Sequence, residues 1–138
     1  MRKRTRAREF ALQVLYQIDI THDNYETSLD NFWSEHLQDN IDEEQKNFTA
    51  QLVKGTLDNL AAIDKKIAQY AENWQLKRMA VVDRNIMRMG SFELIYCEDI
   101  PPKVSINEAV DLAKKYSGPE AGKFVNAILD KIKLEKES

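Results

Sequence analysis

The side chains that usually carry catalysis are scarce in this chain. His22, His36 and Cys97 are its only imidazoles and thiol, and a working acid, base or nucleophile needs a partner that tunes it. His22 has Asp19 and Asp23 close in sequence, but a solvated histidine beside acids is a far commoner arrangement than a metal site. Cys97, near the end of an apolar stretch, reads as a small buried residue, and one cysteine alone forms neither an internal disulfide nor a zinc centre. Gly55, Gly90, Gly118 and Gly122 stand apart from one another, so no glycine-rich loop cradles a phosphate. No catalytic residue, no metal and no cofactor is expected.

What remains is the chemistry of attraction. Residues 1–8 hold Arg2, Lys3, Arg4, Arg6 and Arg8 without an acid, against a net charge of −3 for the whole chain, so the other 130 residues carry −8. A basic arm on an acidic body suits local contact with an anionic polymer. A targeting peptide is the competing reading, weakened by Glu9 and Asp19 in the pattern that follows. A second cluster, GKFVN at 122–126, sets Lys123, Phe124 and Asn126 at the start of a helix. Amides read base edges, aromatics stack on unpaired bases and a helix N-terminus favours phosphate, a combination suited to single-stranded RNA. The plainer alternative makes Phe124 core and Asn126 a local cap or interhelix hydrogen bonder. Asp83-Arg84, on an apolar stretch, is either a buried ion pair or a contact for another protein.

Helices must position these groups. From Thr5, taken as N-cap, Phe10, Ala11, Val14, Leu15 and Ile18 recur at helical spacing, so a first helix runs to about Ile20. Arg4, Arg8, Leu12 and Tyr16 follow at intervals of four along one flank, with Gln17 adjoining. A short helix bearing Leu29, Phe32, Trp33 and Leu37 comes next. Asp42 and Gln45 have the spacing of a capping box before a long helix with Phe48, Leu52, Val53, Thr56 and Leu60. The pattern continues or breaks briefly near Asn59, and Ile63, Ile67 and Tyr70 form another face ending about Asn73 and Trp74. Residues 79–96 are apolar almost all round, which predicts a central buried helix. Pro101 and Pro102 predict an extended connection, Ser105 and Glu108 a capping box, and Gly118-Pro119 the opening of a last helix from Glu120 to about Leu134.

The fold class is thus all-α, about seven helices in two small packed bundles, roughly 1–75 and 76–138, within one domain. The composition, 43% hydrophobic and 31% charged with four Gly and three Pro, excludes collagenous and disordered classes. No apolar run of about 18 residues is present, so no membrane contact and a cytoplasmic location are expected.

Three segments together resemble the NusB family: RTRAREFALQVLYQ at 4–17, VVDRNIMRMGSFEL at 81–94, and IPPKVSINEAVDLAKKYSGPEAGKFVNAILD at 100–130. The resemblance implies a transcription antitermination factor, not an enzyme, that binds the boxA element of nascent rRNA transcripts together with NusE, a small-subunit ribosomal protein. That assembly modifies RNA polymerase so that it reads through terminators. By the same resemblance the RNA surface maps to Arg2, Lys3, Arg4, Arg6, Arg8, Tyr16, Gln17, Lys123, Phe124 and Asn126, and Asp83 falls where such proteins meet NusE. A homodimer of the free protein is left open. The chain departs from the family pattern at Glu120, next to Pro119, and at Gly122, which bears on local RNA geometry. Two other classes compete: a helical adaptor that binds only protein, and a detached NusB-like domain of an rRNA cytosine methyltransferase. The latter needs a catalytic domain that a chain ending at Ser138 is not expected to supply.

Overall fold

The structure, a computed structural model, describes residues 2–71 and 76–138. The expected helix end at Asn73 and Trp74 lies outside the described residues. Seven α-helices follow in order: α1 Lys3–Thr21, α2 Tyr25–Glu35, α3 Glu43–Asp58, α4 Leu60–Tyr70, α5 Val81–Tyr96, α6 Pro102–Tyr116 and α7 Pro119–Glu137, with a short 3-10 turn Leu76–Arg78 before α5. No strand occurs among the described residues, and the expected all-α class is what the chain adopts. No helix is long and apolar enough to cross a membrane among the described residues. The chain forms two compact units, Met1–Gly55 and Thr56–Ser138.

In the first unit, α1 buries Ala7, Phe10, Ala11, Val14, Leu15 and Ile18, α2 buries Leu29 and Phe32, and α3 buries Phe48, Leu52 and Val53. Asn24 caps α2, its side-chain oxygen accepting from the N–H groups of Glu26 and Thr27. The predicted capping box of α3 is present and reciprocal: Gln45 N–H donates to Asp42 Oδ1 at 2.8 Å and Asp42 N–H to Gln45 Oε1 at 3.2 Å. Thr49, wholly buried, donates its hydroxyl to Gln45 O at 2.8 Å and reaches Ala7 O at 3.3 Å, tying α3 to α1. Two expectations fail here. Thr5 lies inside α1, because the helix starts at Lys3 with extended Arg2 as its N-cap. Leu37 lies beyond α2 and is 80% exposed; the helix stops at Glu35 and His36 caps it.

The second unit is built on α5. Every residue of 85–94 is buried except the partly exposed Arg88, as a helix apolar nearly all round requires, and α5 is flanked by α4, α6 and α7. Gly90 permits that crowding, since a Cβ there would sit 2.9 Å from Leu129 Cδ1 and 3.3 Å from Ala109 Cβ. Arg88 forms a bidentate pair with Asp64 of α4, Nε to Oδ1 at 2.8 Å and a terminal nitrogen to Oδ2 at 2.9 Å, the fork geometry that fixes direction as well as distance. Where α7 ends, Lys66 Nζ and the Tyr70 hydroxyl, both on α4, each lie 2.5 Å from a different oxygen of Glu135. Lys136 donates to Leu94 O at 2.6 Å, a cation meeting a carbonyl of the last turn of α5.

The prolines overturn a third expectation. Pro102 does not hold the chain extended; it occupies the first position of α6 with Pro101 as N-cap, where a missing N–H costs nothing and the ring pre-sets φ. Ser105 is consequently a helical residue rather than a cap, with 1% exposure, and its hydroxyl donates to Glu93 Oε1 at 3.0 Å. A buried carboxylate on α5 thereby gains a partner on α6. Pro119 opens α7 in the same way after Gly118, whose φ of 124° only glycine adopts without strain.

Candidate nucleic-acid interface

The basic arm forms the first two turns of α1. Arg2 and Arg4 are exposed, Lys3 is exposed and Arg6 is half-buried. Cations at this end of a helix meet the positive pole of its dipole, and no acid stands in the first turn of α1 to offset it. The first unit supplies compensation from α3 and the loop before it. Lys3 Nζ lies 2.7 Å from Asp42 Oδ2 and 3.8 Å from Glu44 Oε2. The Arg4 guanidinium sits 4.3 Å from the centre of the Phe48 ring, and Arg6 lies 5.1 Å from that of Phe10 while donating to Asp39 O at 2.9 Å. The Lys3 pair raises the Lys3 ammonium above its ordinary range and lowers the Asp42 carboxyl below its own, in both cases through the hydrogen bond between them first.

Arg8 is placed differently. It is 2% exposed, with its guanidinium 5.2 Å from the centre of the Phe48 ring. The reason is geometric: residues four apart advance 400° around a helix, so each step drifts about 40° and three steps drift about 120°. The line through Arg4, Arg8, Leu12 and Tyr16 therefore leaves solvent at Arg4, passes through the core at Arg8 and Leu12, and re-emerges at Tyr16, which is 43% exposed. Gln17 is exposed beside it. An open ring and a neighbouring amide can stack on and hydrogen-bond to unpaired bases.

In the second unit, α7 presents Lys123 and Asn126 to solvent and leaves Phe124 half-buried, while Val125, Ile128, Leu129 and Ile132 are buried. Lys123 Nζ is 3.6 Å from Glu120 Oε1 with both side chains open to water, a pairing that holds the cation weakly. Phe124 lines a cavity of about 440 Å³ together with Arg78, Met79, Asp83, Ser117 and Glu120. Asp83 and Phe124, read from the sequence as belonging to different surfaces, thus share one concavity. Asp83 Oδ1 accepts from the Ser117 hydroxyl at 2.5 Å, whereas Arg84 donates to Leu76 O at 3.1 Å. Neighbours on the helix, the two reach different partners rather than each other. Ser117 and Arg78 were not singled out from sequence; they come to Asp83 only through the packing of α5 against the start of α7.

Both histidines stand at helix C-termini, His22 after α1 and His36 after α2. His22 ends α1 in the left-handed conformation, φ 61°. His36 stacks on Phe32 with ring centroids 4.0 Å apart, and its Nδ1 lies 2.7 Å from Phe32 O. No group of metal-ligating side chains is assembled among the described residues.

The chain is similar, over nearly its whole length, to all-helical proteins of one kind. The sequence profile of the NusB family matches residues 5–133. The transcription antitermination protein NusB of Pelotomaculum thermopropionicum is 48% identical over 94% of this chain and 88% of its own. Among solved structures, T. maritima NusB superposes with a TM-score of 0.86 at 37% identity, covering 96% of this chain and 91% of its own. The crystal structure of antitermination factors NusB and NusE in complex with dsRNA superposes at 0.87 and 30% identity, covering 98% of both chains. The chain belongs to the NusB family.

Proposed function

We propose that this protein is a transcription antitermination factor that binds the boxA element of nascent rRNA transcripts together with NusE, and so modifies RNA polymerase to read through terminators. The observation that carries this reading is the near-complete superposition on a NusB chain solved with NusE and RNA. The distribution of side chains supports it. Arg2, Lys3, Arg4, Arg6 and Lys123 serve phosphate, Tyr16 and Phe124 serve stacking, and Gln17 and Asn126 serve base edges. Arg8, buried against Phe48, takes the role of holding the arm's base rather than of touching RNA. Asp83 meets NusE.

With a net charge of −3, the protein attracts a polyanion only locally and binds RNA modestly when alone. NusE extends the surface, and if both ligands favour one arrangement their affinities rise reciprocally, by about 1 to 3 kcal/mol. The test is a titration of a boxA oligonucleotide into the protein with and without NusE. Tighter RNA binding with NusE, mirrored by tighter NusE binding with RNA, is expected. RNA affinity indifferent to NusE would defeat the reading.

A further inference from the structure

Lys114, on α6, is not among the residues assigned to the RNA surface. Its position is set by Gly122 on α7: a Cβ built on that glycine would stand 2.8 Å from Lys114 Cγ, 3.3 Å from Cε and 3.6 Å from Cδ. Three carbons of the lysine stem therefore lie flat along the missing side chain of Gly122. A long flexible side chain ordinarily loses much rotamer freedom when held in one place; here the glycine gives it a seat. The glycine that departs from the family pattern in the sequence thus has a packing role, and it precedes Lys123 and Phe124 directly.

The consequence is electrostatic. Lys123 shares its charge with Glu120 at 3.6 Å, whereas Lys114 has no ion-pair partner among the described residues and is exposed. The stem reaches residue 122 as far as Cε, 3.3 Å from the position of a Cβ there, and residue 122 directly precedes the exposed Lys123 on α7. Lysine binds phosphate as a point charge, so position rather than fork geometry decides its contribution.

We infer that Lys114, seated on Gly122, is a phosphate-contacting residue of the RNA surface of the second unit. The inference rests on the RNA-binding reading above. Removing the ammonium removes one phosphate partner, and adding a methyl at residue 122 displaces the same ammonium without touching its charge.

The test uses the full chain with NusE and a boxA oligonucleotide, comparing the parent with Lys114→Ala, Gly122→Ala, the double variant and Lys123→Ala across a salt series. Lys114→Ala should lower the slope of log affinity against log salt by about 0.7 and weaken binding about threefold to tenfold at low salt, as expected when one phosphate of a single strand is no longer neutralised. Gly122→Ala should weaken binding in the same direction, and the double variant should bind like Lys114→Ala, because both changes act on one ammonium. Thermal unfolding of Lys114→Ala should match the parent, which separates a phosphate-binding role from a scaffold role. An unchanged slope in Lys114→Ala while Lys123→Ala weakens binding overturns this inference alone. So does full additivity of the two single changes. A parent that binds no RNA overturns the functional reading and this inference with it.

Discussion

Arg8 shows how one residue can carry the same charge as its neighbours and a different role. Burial at 2% exposure against Phe48 makes its removal a structural event: Arg8→Ala leaves a void and strands whatever its guanidinium satisfied, which costs about 2 to 4 kcal/mol. Urea unfolding should register that destabilisation, while the salt slope of RNA binding stays at the parental value. The double change Arg4→Ala with Arg6→Ala should do the reverse, reducing the slope by roughly 0.7 for each phosphate left without its cation with a small stability cost from the ring interactions, about 0.5 to 1 kcal/mol each. A parental slope in the double variant, or a lowered slope in Arg8→Ala, would reverse these assignments.

At the scale of elements, the meeting of α4 with the end of α7 makes stability depend on pH at both extremes. Glu135 is held below the ordinary carboxylate range, chiefly by its hydrogen bond from Lys66 and then by that from Tyr70. A lowered carboxyl pKa contributes stability above the unfolded value of 4.5, and that contribution disappears as pH falls through the folded value. Tyr70 is raised above 10.0, first by its hydrogen bond to Glu135; its contribution is complete below the unfolded value and is lost as pH climbs past it. Tyr70→Phe should therefore flatten the alkaline limb of a stability-against-pH curve and leave part of the acid limb, where Lys66 still acts. An alkaline limb identical to the parent's would exclude the phenol as its source. The elements themselves were legible because apolar spacing reports helix period directly: α1, α5 and α7 fall where their stripes predict, and α3 does so as far as Thr56, whereas Leu60, read as the end of its stripe, opens α4 after a break at Asn59. Their starts were less so. Thr5 and Ser105 look like caps locally, but Lys3 and Pro102 begin their helices earlier, and Ser105 is committed instead to Glu93 across the α5–α6 interface. Side-chain placement between helices was not legible at all: nothing in the spacing tells that Gly122 receives Lys114, or that Ser117 reaches Asp83.

At the scale of the molecule, Asp83 and Phe124 line one cavity of the second unit, so on the proposed reading the partner and RNA surfaces are neighbours there. Asp83→Lys should weaken NusE binding, and lower RNA affinity only when NusE is present. Phe124→Asp adds an acid beside Asp83 and removes a stacking surface, so it should impair RNA binding with or without NusE. Equal weakening of RNA binding in both settings for Asp83→Lys would mean that the aspartate serves RNA itself.

The buried thiol at the end of α5 supplies a clock for this molecule. Cys97 is the chain's single cysteine and is 3% exposed, so a bulky disulfide reagent reaches it only during transient openings of the second unit. Under fast reclosing, the labelling rate is the intrinsic thiol rate multiplied by the open fraction. Any ligand that holds the closed form slows that rate by one plus its concentration over its dissociation constant, about a hundredfold at one hundred times that constant. A saturating boxA–NusE mixture should therefore protect Cys97 strongly, and NusE alone more weakly. Labelling at an undiminished rate in the full mixture would mean that the ligands engage this protein without stabilising the helices around α5.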